Sequence, residues 1–166
     1  LGYIRFRVDG QIYEHELKLM EEERRFCAVR HDKTAPVHTF WDLGINDHCV
    51  ILFVQFVGKE VRLIDMLKGN NLSIRNHWIP EIQRKGMDKG YVYDGHWLPH
   101  DSAQRDKFSG ESIFESVKKV LGNVHRLPRP NMKLEAIQKA RNMFDSVWID
   151  KVNCQVVEGI CEVTAG

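Results

Sequence analysis

Asp42 lies within an otherwise apolar, strand-like run, Thr39-Phe40-Trp41-Asp42-Leu43-Gly44. A carboxylate in such a run is costly unless it is paired or binds a cation. Asp101 follows a second run of this kind, at the expected carboxyl end of a strand over residues 91–98. If the two runs are neighbouring strands, both carboxylates converge at one edge of a sheet. Hard oxygen ligands from adjacent strands suit Mg²⁺ or Mn²⁺. In two-metal hydrolysis the ions sit about 3.5–4 Å apart, one activating water and the other stabilising the leaving oxygen of a phosphodiester. Residue type alone leaves a second reading open, because a strand aspartate is commonly an ion-pair or turn residue.

Other residues flank this pair. Asp47 falls in the turn after the first run, where it either reaches a metal through water or forms the turn. Asp65 sits in a strand-like run over residues 61–67, and Asp94-Gly95 reads as a turn or bulge. His100 could orient the attacking water or touch a phosphate, although strand alternation points it away from the face of Asp101. Arg105 and Lys107, with Arg84, Lys85, Lys89, Arg126 and Arg129, are candidates for a surface that tracks DNA phosphates. Trp41, Trp78, Trp97 and Trp148 offer stacking platforms, but their spacing favours the core.

The elements that must position these residues follow from periodicity. Residues 38–43, 50–57 and 61–67 read as three consecutive strands joined by short turns, an antiparallel meander. The second is apolar on both faces apart from Gln55, which predicts a central position. A helix is expected over residues 72–85, with Pro80 kinking it or opening its second half and Gly86 stopping it. A fourth strand covers residues 91–98, and residues 109–122 form a helix capped by Ser109. A short strand at 124–127 and a helix at 132–144 complete the order. The expected architecture is α/β: a five-stranded mixed sheet, three antiparallel strands then β-α-β crossovers, flanked by helices. It places the fourth strand beside the first, and this is the element order of the RNase H-like fold.

The 166 residues, 43% of them apolar, suffice for one core. With 24 Lys+Arg against 23 Asp+Glu, the balance makes no global case for nucleic acid, so any DNA contact must be local. The four cysteines form no CxxC pair or disulfide framework, no apolar run approaches a membrane span, and no Walker-type phosphate loop is present, hence no ATP site is expected. Residues 1–35, with the run Glu21-Glu22-Glu23-Arg24-Arg25, read as a helical, solvated connecting segment rather than core.

The runs His38-Thr39-Phe40-Trp41-Asp42-Leu43-Gly44 with Asn46-Asp47, and Trp97-Leu98-Pro99-His100-Asp101-Ser102 with Ser109-Gly110-Glu111-Ser112, resemble the two nuclease motifs of tailed-phage terminase large subunits. Ile64-Asp65 and the stretch from Met143 to Asp150 with Cys154 extend the resemblance. It implies a metal-dependent endonuclease that cuts concatemeric viral double-stranded DNA, with Asp42 and Asp101 as metal-binding catalytic carboxylates and Mg²⁺ or Mn²⁺ as cofactor. It also implies an upstream ATPase domain, portal and small terminase subunit as partners, and the bacterial host cytoplasm as location, without a membrane. By the same resemblance Asp145 and Asp150 lie on a surface segment away from the site.

The family's third carboxylate belongs to a motif of the form HDxxSHxxDAxR, which has no counterpart here. The expectation is therefore a connecting segment over residues 1–35 from an absent ATPase domain, and a nuclease domain over 36–166 truncated at its C-terminus. The rival reading is a non-catalytic module that docks DNA or the portal with an incomplete metal site.

Overall fold

The computed structural model describes residues 12–44, 48–104, 110–129 and 132–154. In chain order the elements are α1 (Glu14–Glu22), β1 (Phe26–Cys27), β2 (Val37–Leu43), β3 (His48–Val57), β4 (Glu60–Asn70), α2 (Ile79–Lys89), β5 (Tyr93–Leu98), α3 (Ile113–Leu121), β6 (Val124–Arg126), α4 (Lys133–Met143) and β7 (Val147–Asp150). A π-helical turn, Ile74–Trp78, leads into α2, and 3₁₀ turns at His100–Ala103 and Phe144–Ser146 follow β5 and α4.

The strands form one sheet in the order β1-β7-β4-β3-β2-β5-β6. Its run β4-β3-β2-β5-β6 is the expected RNase H-like sheet, and the Gln55 strand β3 is the middle one of all seven. The sheet has seven strands where five were expected, because β1 and β7 extend it beyond β4. Both additions are parallel pairings, Phe26↔Ile149 in one and Leu63↔Ile149 in the other. Strands of two and four residues carry too little alternation to be read from sequence.

The chain forms two compact units, one drawn from Leu1–Asp32, Val54–Met66 and Pro130–Gly166, the other from Lys33–Phe53 and Leu67–Arg129. In the first, Met20, Ile149 and Cys154 form a buried cluster to which Leu17, Phe26, Leu63, Met66, Phe144 and Val147 add apolar surface. Glu21 to Arg24 are exposed as expected, but Met20 and Arg25 are not solvated. The Arg25 guanidinium donates to the carbonyls of Phe144 and Val147 and pairs with Glu23, which compensates its burial. Gln55, fully buried, accepts the Asp32 N–H at 2.9 Å and donates to the Asp32 carbonyl at 2.8 Å.

Asp145 is on the surface, whereas Asp150 is buried, contrary to its expected surface position. Its carboxylate accepts the backbone N–H groups of Val29 (2.8 Å), Val152 (3.0 Å) and Asn153 (2.7 Å), so it ties the end of β7 to the chain leaving β1. Hydrogen bonding of this kind is what makes a buried carboxylate tolerable.

In the second unit, alternation along β2 buries Val37, Thr39 and Trp41 and leaves Asp42 exposed. Ile51, Phe53, Trp78, Ile79, Ile82 and Leu98 are also buried in that unit. Pro80 stands in the first turn of α2, where its missing N–H costs nothing. The helix does not stop at Gly86. It runs to Lys89 and ends at Gly90, which takes the left-handed conformation with φ 71°. Gly86 serves packing instead: a Cβ there would lie 3.0 Å from the Tyr93 ring. The cap of α3 is Ser112, not Ser109, in a reciprocal capping box with Glu115. No helix among the described residues is long and apolar enough to cross a membrane.

Candidate metal centre

Strands β2 and β5 pair in parallel, Thr39 opposite His96 and Phe40 opposite Trp97, so their carboxyl ends share one edge. Asp42 lies two residues beyond Phe40. Asp101 lies four beyond Trp97, in the 3₁₀ turn that Pro99 starts. The register shifts opposite Asp94, the expected bulge, and brings His38 opposite Gly95.

Beneath the edge a buried polar chain joins the two strands. The Trp41 indole N–H donates to Thr39 Oγ1 at 2.9 Å, and that hydroxyl lies 2.7 Å from His96 Nδ1. With its oxygen accepting from Trp41, the hydroxyl has its own hydrogen to give to His96. Burial, with a smaller contribution from the His38 charge, pulls the His96 pKa down to about 4, so the ring is neutral. On the other face Phe40, Trp97 and His125 form a stacked row across β2, β5 and β6, with Phe40–Trp97 centroids 6.0 Å apart and Trp97–His125 centroids 4.4 Å apart. Both arrangements hold the strand ends in register from below.

Desolvation raises the Asp42 pKa above its ordinary value, and the charge of Asp101 raises it further. The two carboxylates therefore feel each other. Asp101 Oδ1 is buried with no hydrogen-bond partner among the described residues. A like-charged pair with an orphaned buried oxygen lacks a positive charge, and a hard divalent cation fits that lack.

Cys49 on β3, which the sequence did not single out, is close enough for Asp42 to act on it. Burial first, then the Asp42 charge, pushes its thiol up to about 12. Without a metal it stays protonated at neutral pH. Among the described residues, no group of three or more His, Cys, Asp or Glu side chains could hold an ion.

The other candidates are placed differently. Asp47, Arg105 and Lys107 lie outside the described residues. Asp65, only 1% exposed on β4, belongs to the first unit and accepts the Met66 N–H at 2.9 Å. His100 is exposed within the 3₁₀ turn, so strand alternation, which placed it opposite Asp101, does not apply to it. Arg84 is engaged by Glu81 and Asp88. Lys89 ends α2 before β5 begins, at the amino-terminal end of a strand whose carboxyl end leads to Asp101.

No protein-family model matches the chain, and no curated protein matches it. Solved structures do. The large terminase of a thermophilic bacteriophage aligns with TM-score 0.59 and 8% identity over 78% of this chain. The P22 large terminase nuclease domain aligns with TM-score 0.55 and 15% identity, covering 89% of this chain and 75% of that one. The chain has the fold of a large-terminase nuclease domain. The nuclease of phage G20c with bound cobalt gives 0.54 and 12% identity, covering 87% of this chain and 76% of that one. Against the first of these terminases the chain spans 31% of the length. In this fold, Asp42 and Asp101 lie at the carboxyl edge of the neighbouring parallel strands β2 and β5, the edge at which α/β sheets place ligands.

Proposed function

We propose that this chain is the nuclease domain of a phage packaging terminase, a divalent-metal-dependent endonuclease that cuts concatemeric viral double-stranded DNA. The observation that carries the reading is the convergence of Asp42 and Asp101, with its orphaned Oδ1, at the edge of a sheet of this fold. Asp42 and Asp101 would hold the ion, Mg²⁺ or Mn²⁺, and the G20c nuclease with bound cobalt supports divalent-metal use. When bound, the metal activates water and neutralises charge on the scissile phosphate. The chain's own contribution is preorganisation. The Trp41–Thr39–His96 chain and the aromatic row tie together the strands that carry Asp42 and lead into the Asp101 turn, which would limit the reorganisation left for the reaction. Likeness to a much longer large terminase supports an ATPase domain as covalent neighbour. The portal and small terminase subunit would be its partners in the host cytoplasm.

A plasmid-nicking assay with Mn²⁺ tests the reading, with Asp42→Ala and Asp101→Ala beside the parent. Cutting by the parent alone is the expected result. Cutting that persists in Asp42→Ala sinks the assignment, and DNA binding without any cutting favours the docking module.

A further inference from the structure

Arg126 and Arg129 stand at the carboxyl end of the edge strand β6. That strand pairs in parallel with β5, Leu98 opposite Arg126, and the Leu127 N–H extends the pairing to the Leu98 carbonyl at 2.8 Å. Since β2, β5 and β6 are mutually parallel neighbours, Asp42, the Asp101 turn and the two arginines follow one another along one edge. At roughly 4.8 Å per strand, the end of β6 is about 10 Å from that of β2.

The ion pairing of the arginines separates these two from the rest. Among the described residues, the unit that holds Asp42 and Asp101 contains Arg75, Arg84, Arg126 and Arg129. Arg75 is engaged by Glu111, and Arg84 by Glu81 and Asp88. Arg126 and Arg129 are exposed, and neither pairs with a described carboxylate. Pro128 between them narrows the backbone's freedom, so the two guanidinium groups are presented from a restrained strand end.

Two carboxylates repel a DNA strand. Guanidinium groups that no described carboxylate neutralises, one strand further along the same edge, offset that repulsion and attract its phosphates.

We propose that Arg126 and Arg129 bind the phosphate backbone of the DNA strand next to the scissile position, as a contact that positions the strand without reading its sequence. This rests on the nuclease reading and adds the track along which the substrate crosses the site. Each phosphate contact contributes about 0.9 to the slope of log affinity against log salt.

The test is equilibrium binding of a fluorescent duplex in EDTA, where no metal-dependent cutting occurs, over roughly 50–200 mM salt. Arg126→Ala/Arg129→Ala is expected to lower the slope by about 1.8, equally for unrelated duplex sequences. Arg126→Lys/Arg129→Lys should restore the slope, and Lys139→Ala, an exposed charge on α4, should leave it unchanged. Since both arginines are exposed, thermal melts of the variants should match the parent. An unchanged slope in the double alanine variant overturns the proposal. If the parent still cuts DNA with metal, only this proposal falls. If the parent neither binds nor cuts, both this proposal and the nuclease reading fall.

Discussion

Asp101 acts on Asp42 across the pairing of β2 and β5: its charge adds to desolvation in raising the Asp42 pKa. A carboxyl group with a raised folded pKa holds more protons when folded than when unfolded. Its contribution to stability therefore declines as pH rises through the folded pKa and recovers on acidification. Asp42 is exposed on β2, so at neutral pH the cost of the pair is softened by solvent, and a cation held by both carboxylates, as proposed above, would offset what remains.

Thermal melts read that cost directly. In EDTA at pH 7, Asp42→Asn should be as stable as the parent or more so, and the difference should shrink as pH falls through the raised Asp42 pKa. Adding Mn²⁺ should raise the melting temperature of the parent but not of the variant. Saturation at a hundredfold excess over Kd is worth about 2.7 kcal/mol, a shift of several degrees at this chain length. A large loss of stability in Asp42→Asn in EDTA would make Asp42 a structural ion-pair partner instead.

His96 gives the opposite pH signature. Its folded pKa is pulled from 6.5 down to about 4 by burial, so the unfolded chain binds more protons in that window and stability falls as pH drops from 6.5 towards 4. At 1.36 kcal/mol per pKa unit, the loss is roughly 3 kcal/mol. His96→Gln, which keeps a side-chain acceptor for Thr39, should flatten this part of the stability profile. The measurement is urea denaturation at half-unit pH steps, and equal slopes for parent and variant would show that His96 is not held neutral in the fold.

What the sequence could express depended on element length and on distance along the chain. The strands of the central meander carry enough alternation to be read, and Gln55 in an apolar run marked the strand that proved central. Asp42 stood out because a charge in an apolar strand needs a reason. The short β1 and β7 left no period to detect, and the burial of Asp150 depends on N–H groups of Val29, Val152 and Asn153 from both sides of the chain. Gly86 illustrates a different limit. Helix stop signals are local, but this glycine answers to Tyr93, across a turn, and Gly90 answers to the backbone. Likewise the 3₁₀ turn at His100–Ala103 ends strand alternation just where His100 was assigned a face.

The first turn of α3 should be sensitive to one hydroxyl. Ser112 accepts the Glu115 N–H at 3.1 Å while the Glu115 carboxylate accepts the Ser112 N–H at 3.0 Å. Ser112→Ala removes half of this box and should cost about 1 kcal/mol. Ser112→Thr should retain most of the stability, since it keeps both the acceptor oxygen and the O–H that donates to the Glu115 carboxylate at 3.0 Å. Urea denaturation of both variants is the check, and equal losses would mean that Ser112 matters for packing alone.

Metal preference is where the proposed pair, Asp42 and Asp101, makes its sharpest demand. Two carboxylates supply less negative charge than three, so affinity for a second ion should be low, and the site should fill only at millimolar metal. Mg²⁺ demands near-ideal octahedral ligation and gives up its waters reluctantly, whereas Mn²⁺ shares its preference for oxygen donors and tolerates poorer geometry. Cleavage by this chain should therefore be undetectable in Mg²⁺ and weak in Mn²⁺, and Asp42→Ala or Asp101→Ala should abolish it. The readout is the conversion of supercoiled plasmid across a metal titration. Robust cutting in Mg²⁺ would mean that a third ligand reaches the ion from within the chain. Asp47, Asp65 and Asp145 would then be replaced in that order, and the ligand is the one whose loss shifts the metal dependence from Mg²⁺ to Mn²⁺ while leaving DNA binding in EDTA unchanged.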